Sequence, residues 1–196
     1  MAYETLHTLH VRKKGKKGSI ALKLDINKGY DRVEWPFLQG MMQRMGFSNR
    51  WIGWAMGCVT TPSFSILIND KTYGNINPSR GICQGDPLSP YLFLLCVEGL
   101  TSLLSKVEHD GCIHGVFVCR RAPKITNLMF ADNSLLLCRA IQGEVEVINE
   151  VLQVYAHASG QCINIDKSSV YFSNNTPNRQ RGEIGAALGV KHVEKF

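Results

Sequence analysis

Two aspartates, Asp25 and Asp132, stand where chemistry is possible. Asp25 closes an apolar run, Ile20-Ala21-Leu22-Lys23-Leu24-Asp25-Ile26, that reads as a β-strand, and a carboxylate there is costly to bury without a partner. Asp132 lies in Phe130-Ala131-Asp132-Asn133, between the strand-like runs 124–130 and 135–138, so it stands at the tip of a hairpin. If the two strands are neighbours in one sheet, both carboxylates converge at one edge. Converging carboxylates are the hard oxygen ligands that a Mg²⁺ pair requires. Two such ions about 3.5–4 Å apart clamp the attacking and leaving oxygens of an in-line phosphoryl transfer. Taken singly, each aspartate is equally explained as a turn or strand-end residue, because Asp is common in turns.

The elements that must position these residues follow from the pattern. Trp35, Leu38, Met42 and Met45 recur at helical spacing and Gly46 is a stop; a second helix is predicted from Asn49 to about Val59. Phe64-Ser65-Ile66-Leu67-Ile68 and Lys71-Thr72-Tyr73 flank Asn69-Asp70, a hairpin signal. A loop punctuated by Gly and Pro, 80–90, feeds an apolar helix over 91–104. After the 125–138 hairpin, Ile141, Val145, Ile148, Leu152 and Tyr155 mark one face of an amphipathic helix that Ser159-Gly160 ends. Ser169-Val170-Tyr171-Phe172-Ser173 is one more strand. The order is strand, helices, hairpin, helix, hairpin, helix, strand, which argues an α+β domain with an antiparallel sheet and helices packed on one face.

Composition narrows the class. The chain of 196 residues is 44% hydrophobic and 19% charged, enough to bury a core and unlike a disordered tail. Seven scattered cysteines without a C-x-x-C suit buried thiols in a reducing compartment. The net charge of +6 is compatible with a polyanionic partner. The run Lys13-Lys14-Gly15-Lys16-Lys17-Gly18 reads equally as a solvated linker and as a phosphate-contacting loop. No apolar stretch looks long enough to span a bilayer, since 91–104 is interrupted by Glu98 and Gly99, and the first five residues lack the form of a signal peptide. His109, Cys112, His114 and Cys119 fit no common zinc spacing and read as a connector into the second hairpin.

Four motifs occur in a fixed order: Lys23-Leu24-Asp25-Ile26-Asn27-Lys28-Gly29-Tyr30-Asp31-Arg32-Val33-Glu34-Trp35, Arg80-Gly81-Ile82-Cys83-Gln84-Gly85-Asp86-Pro87-Leu88-Ser89-Pro90, the Phe-Ala-Asp-Asn tip, and Ser159-Gly160-Gln161-Cys162-Ile163-Asn164-Ile165-Asp166-Lys167-Ser168. Together they resemble the reverse transcriptase of LINE-type non-LTR retrotransposons, closest to the plant forms, over nearly the whole chain. The resemblance implies a polymerase palm over 19–173, preceded by an N-terminal segment over 1–18 that carries the basic loop. Residues 174–196 would then lead toward a missing thumb, with the fingers incomplete and the thumb absent. It implies an RNA-directed DNA polymerase that adds deoxynucleotides to a primer 3′-hydroxyl with two Mg²⁺ (or Mn²⁺). Its partners would be an RNA template, a DNA primer and deoxynucleoside triphosphates, with no membrane, and a nuclear location would follow from target priming on chromosomal DNA.

By the same resemblance Asp25 and Asp132 match metal-binding aspartates, and the Ile26 carbonyl is an additional oxygen ligand. Tyr30 matches the aromatic gate that excludes a 2′-hydroxyl. Arg80, Gln84 and Gly85 belong to the loop that contacts template and incoming nucleotide, where glycine permits close backbone approach. Lys167 matches a lysine that protonates or neutralises the leaving pyrophosphate, and reads equally as an exposed strand-end lysine. Asn133 stands where the family has a second aspartate. Asparagine suits a tight turn as well as aspartate does. It removes a unit charge from the metal site, so the expectation is a preserved fold with impaired catalysis. The alternatives are an inactive remnant with a palm fold and at most weak nucleic-acid binding, and an unrelated α+β interaction domain whose acidic tips are only turns.

Overall fold

The apolar runs and turn residues resolve, in a computed structural model that describes residues 2–11, 18–117, 119, 122–130 and 133–194, into alternating helices and strands. Asp132 and the basic run 13–17 lie outside the described residues. Along the chain come α1 (Ala2–Val11), β1 (Ser19–Asn27), α2 (Trp35–Arg44), α3 (Asn49–Thr60), β2 (Phe64–Ile68), β3 (Lys71–Ile76) and α4 (Ser89–His109). Then follow β4 (Val116–Phe117), β5 (Lys124–Ile125), β6 (Asn127–Phe130), β7 (Asn133–Arg139), α5 (Gln142–Ser159), β8 (Cys162–Ile163), β9 (Ser169–Phe172), α6 (Asn178–Leu188) and β10 (Lys191–His192). The chain divides into two compact units: residues 1–27, 100–156 and 162–196 form one, and residues 28–99 and 157–161 the other.

The first unit is built on a sheet of order β10-β9-β1-β7-β6, with β8 pairing the end of β1. The β6–β7 hairpin is the predicted acidic-tip hairpin, and β7 lies antiparallel to β1 over seven residues from Ser19↔Arg139 to Asp25↔Asn133. β9 pairs the other edge of β1, Ile20↔Phe172 to Lys23↔Ser169. Since side chains alternate across a strand, one row of β1 and β7 (Ile20, Leu22, Leu136, Cys138) and the other (Ala21, Leu135, Leu137) are both buried. The second row, with Tyr171, is covered by Leu9 and Leu6 of α1. A fully buried leucine such as Leu9 contributes about 1.5–3 kcal/mol.

Beyond the expected elements the structure has α1, β4, β8, α6 and β10, and it divides the strand-like run 124–130 into β5, which pairs β4, and β6, which pairs β7. α1 carries apolar residues at i, i+3 only in Tyr3, Leu6 and Leu9, a stripe too short to announce a helix. β10 joins β9 in parallel, Lys191↔Ser169, so the mostly antiparallel sheet ends on one parallel pair.

In the second unit the predicted boundaries of α2, α3 and the β2–β3 hairpin are observed to within a few residues. Pro36 sits in the first turn of α2, where a missing N–H costs nothing. Ser48 caps α3 by accepting from the Trp51 N–H. Asn69 and Asp70 both adopt left-handed conformations, φ 47° and 60°, which a two-residue hairpin of primed type requires. Phe64, Ile66, Ile68, Tyr73 and Ile76 of this hairpin are all exposed.

One expectation needs correction. α4 extends beyond 91–104 at both ends to 21 residues, and by length and composition it is apolar enough to cross a bilayer. Ser89 and His109 bring the flanks into the same helix, so Glu98 no longer interrupts a short run but sits within a long one. Leu92, Phe93, Cys96, Val97, Leu100 and Leu104 are buried in the fold, while Tyr91 and Leu94 are exposed.

Candidate active site

In the first unit, β1 ends at the predicted metal-binding segment. Asp25 is half-buried and lies directly opposite Asn133, the first residue of β7. Directly paired residues of an antiparallel ladder project to the same face, so the carboxylate of Asp25 and the amide of Asn133 share one side of the sheet. Main-chain groups alternate between edges. Asp25 C=O accepts from the Asn164 N–H at 2.8 Å on the β8 side, and Ser19 bonds Ser173 on that same edge. Ile26 therefore directs its carbonyl to the opposite edge, where the pairing of β1 with β7 stops at Asn133.

The turn 164–168 packs against the same strand end. Asp25 N–H donates to Ser168 Oγ at 3.2 Å. Lys167, exposed within the turn, donates its N–H to Asn164 Oδ1 at 3.4 Å. Asp25, Ile26, Asn133 and the main chain of Lys167 are thus neighbours, and Asp132 lies outside the described residues. Among the described residues there is no cluster of three His, Cys, Asp or Glu side chains able to hold a metal. What the described residues provide is a hard-oxygen set, one carboxylate and one main-chain carbonyl facing an amide, and that chemistry fits Mg²⁺.

The nucleotide- and template-binding candidates fall in the second unit. Tyr30 stacks on Phe93 with ring centroids 4.8 Å apart and planes 12° from parallel, which fixes the ring in one orientation. The loop that holds Arg80, Gln84 and Gly85 is tied to the segment after β1. Gly81 N–H donates to Val33 O at 2.8 Å, Ile82 N–H to Tyr30 O at 2.9 Å, and Trp35 Nε1–H to Gly81 O at 2.7 Å. Gly81, at φ 87°, approaches Asp31 so closely that a Cβ would sit 2.8 Å from its carbonyl oxygen. Gly85 has φ 96°. Arg80 is exposed and 3.5 Å from Glu34, a pairing that contributes little in water. A cavity of about 360 Å³ is lined by Arg80, Gln84, Cys58, Cys83, Phe64 and Leu92 among others.

Three residues were missed as contributors. Trp35, expected on a helix face and as the last residue of the first motif, anchors the 80–85 loop through its indole N–H. Gln161 is buried and donates to Gly29 O at 2.8 Å, next to Tyr30, while its Oε1 has no partner among the described residues. Ser159 O accepts from Glu34 N–H at 3.0 Å in the same unit. In the fourth motif the sequence singles out Lys167 and the helix-ending Ser159-Gly160; the structure adds that Ser159, Gln161 and Ser168 bond the first motif.

Among the described residues, the histidines of the 109–119 connector have carboxylate neighbours. His114 Nδ1 lies 2.9 Å from Glu144 Oε1, and His109 lies 3.7 Å from Asp110. Cys58, Cys83, Cys112 and Cys119 are exposed free thiols, whereas burial pushes the Cys96 thiol up to about 12 and Cys138 well above its ordinary value.

The geometry has counterparts among known proteins. The family model described as reverse transcriptase (RNA-dependent DNA polymerase) matches residues 1–191. An uncharacterized mitochondrial protein of Arabidopsis thaliana is 46% identical over 68 residues, 35% of this chain and 56% of that one. A retrovirus-related Pol polyprotein from the type-1 retrotransposable element R2 of Popillia japonica is 29% identical over 82% of this chain and 25% of its own length. A 149 kDa protein of transposon TX1 from Xenopus laevis is 29% identical over 76% of this chain and 11% of its own length. The chain therefore spans little more than half of the first of these relatives and a quarter or less of the others. Among solved structures, telomerase from Candida albicans, in a complex with a fragment of telomeric RNA, shares the fold with a TM-score of 0.59 at 13% identity, over 78% of this chain and 26% of that one.

Proposed function

This chain belongs to the reverse transcriptase family, among the domains of non-LTR retrotransposons, and from that premise we propose that it is an RNA-templated DNA polymerase palm whose metal site is depleted by one charge. The observation that carries the reading is the register Asp25↔Asn133, which sets the carboxylate of the first motif against the residue that follows Asp132 at the hairpin end. Asp25, the Ile26 carbonyl and Asp132 would hold Mg²⁺. When bound, the ions supply Lewis-acid stabilisation of the oxygens that enter and leave phosphorus.

The chain's own residues have separate tasks in this reading. Tyr30, held flat against Phe93, offers a rigid surface to the sugar of an incoming deoxynucleotide and rejects a 2′-hydroxyl by contact. Gln84 and Gly85 present main chain and amide to the base pair, in a loop kept in place by Trp35 and Val33. Lys167 places a cation beside the strand end, where it neutralises or protonates departing pyrophosphate. RNA template, DNA primer and deoxynucleoside triphosphates are the ligands; the overall positive charge favours them. Asn133 keeps the turn and leaves the site one negative charge short.

The test is Mg²⁺-dependent primer extension on an RNA template. The chain and its Asn133→Asp version would each replace the matching segment of an R2-type Pol polyprotein. Substitutions in the outer shell of a metal site already cost about 10–100-fold in affinity or activity, so Asn133→Asp is expected to raise extension by at least that range. Equal extension by both versions would overturn the charge-depletion reading. Absence of extension from both, with the parent polyprotein active, would favour the inactive remnant.

A further inference from the structure

The outer edge of β1 is paired twice, in two registers. β9 pairs it up to Lys23↔Ser169, and β8 pairs it from Ile26↔Ile163 onward. Continued to Asp25, the first register would place residue 167 opposite it, and the second places Asn164 there. Residues 165–167 are the slack between the two, and Asp25 sits at the discontinuity. Its C=O makes the expected ladder bond, accepting from Asn164 N–H at 2.8 Å. Its N–H does not return the bond to Asn164 C=O. It donates instead to Ser168 Oγ at 3.2 Å, and that hydroxyl donates onward to Asn164 O at 2.7 Å. The Ser168 N–H also donates to Asn164 O, at 2.9 Å. A serine hydroxyl is thus inserted into the ladder at the position of β1 whose side chain is the proposed metal ligand, and Ser168 is 1% exposed.

We propose that Ser168 is a positioning residue for Asp25. Its hydroxyl holds the Asp25 main chain across the register break, so that the carboxylate and the Ile26 carbonyl keep one orientation, and it makes the turn bearing Lys167 and the end of β1 a single mechanical unit. Without the hydroxyl, the Asp25 N–H loses its acceptor, and Asp25 keeps on this edge only its C=O bond to Asn164 N–H, beside the β8 pairing that begins at Ile26. This inference rests on the reading of Asp25 as a metal ligand.

The fold contains a matched control. At the far end of β1, Ser19 N–H donates to Ser173 Oγ at 2.8 Å, the same kind of bond on the same edge of the same strand. Ser168→Ala and Ser173→Ala therefore each delete a buried hydroxyl that accepts a β1 N–H, one at Asp25 and one remote from it, where Ser173 Oγ also donates to Asn175 Oδ1 at 2.6 Å and lies 3.2 Å from Thr176 Oγ1. The readouts are Mn²⁺ affinity, by calorimetry or water relaxation, in the Asn133→Asp chain, and hydrogen exchange of the Asp25 amide. Ser168→Ala is expected to weaken Mn²⁺ about fivefold, the equivalent of the ~1 kcal/mol of one hydrogen bond, and to speed Asp25 amide exchange. Ser173→Ala should change neither by more than about twofold on the same scale, at a comparable loss of stability. Equal effects of the two substitutions on Mn²⁺ and on Asp25 exchange would reduce Ser168 to an ordinary edge residue and overturn the proposal. If the Asn133→Asp chain binds no Mn²⁺, the metal-site reading fails on its own. Asp25 exchange then decides whether Ser168 positions the strand end: unchanged exchange in Ser168→Ala refutes it.

Discussion

Replacing Glu144 by alanine should destabilise the protein by about 3–5 kcal/mol. Glu144 lies in the first turn of α5, 5% exposed. Its Oε2 accepts from two main-chain donors, His114 N–H at 3.0 Å and Arg139 N–H at 3.1 Å, while Oε1 meets His114 Nδ1 at 2.9 Å. One carboxylate thus ties the connector before β4, the end of β7 and the start of α5. Two main-chain donors left without an acceptor cost about 1–3 kcal/mol each. Because these bonds are only part-buried, water recovers some of that, and about 1–1.5 kcal/mol apiece is the better figure. The lost side-chain bond to His114 and the favourable placement of a negative charge at a helix start add about 1–2 kcal/mol together. Glu144→Gln should cost much less, near 1 kcal/mol, because its amide oxygen can still accept from both N–H groups while its NH₂ donates to a neutral His114 Nδ1. Urea unfolding followed by circular dichroism measures both. A Glu144→Ala cost under ~1 kcal/mol, or equal costs for Ala and Gln, would refute the argument that satisfied main-chain donors are what the residue contributes.

Other expectations are independent of this one. The Cys96 thiol, raised by burial from 9.0 to about 12, contributes stability that is complete below pH 9 and is lost as pH rises toward 12. Three units correspond to an upper value of about 4 kcal/mol, so urea midpoints should fall above pH 9. They should fall less steeply in a Cys96→Ala, Cys138→Ala double variant, since Cys138 is shifted in the same direction; identical slopes would contradict the assignment. Iodoacetamide should label Cys58, Cys83, Cys112 and Cys119 in the native protein and reach Cys96 and Cys138 only on unfolding, as peptide mass mapping would reveal. Gly81→Ala, which forces a Cβ to 2.8 Å from Asp31 O at φ 87°, should lower stability by more than about 1 kcal/mol. Gly57→Ala, with open space at its Cβ inside α3, should raise it by up to ~1 kcal/mol; thermal melts of the two should move in opposite directions.

Much of the fold was legible because it is written in local chemistry. Asn69-Asp70 tolerates left-handed conformations, so the β2–β3 turn could be placed from two residues. The spacing of Val145, Ile148, Leu152 and Tyr155 announced α5, and all four are buried. Helix α1 was illegible for the opposite reason: Tyr3, Leu6 and Leu9 make too short a periodic pattern, and Leu6 and Leu9 rest on the sheet formed by residues distant in the chain. His114 showed the same limit. Its spacing to the other histidine and cysteines excluded a common zinc pattern, but nothing local named its partner, Glu144, which lies 30 residues onward.

The candidate site divides along the same line. Its chemical inventory belongs to the sequence: Asp25, Tyr30, Gln84, Lys167 and the amide at Asn133 are side-chain identities, and the charge missing at Asn133 is a fact of composition that no folding alters. The arrangement belongs to the tertiary structure. Asp25 faces Asn133 because β1 and β7 pair in one register out of several that their apolar residues would permit. Ser168 reaches the Asp25 N–H because β8 and β9 meet β1 in registers that disagree. Register is a long-range property, set by which strands bury their faces together, and a reading of one strand at a time contains no term for it.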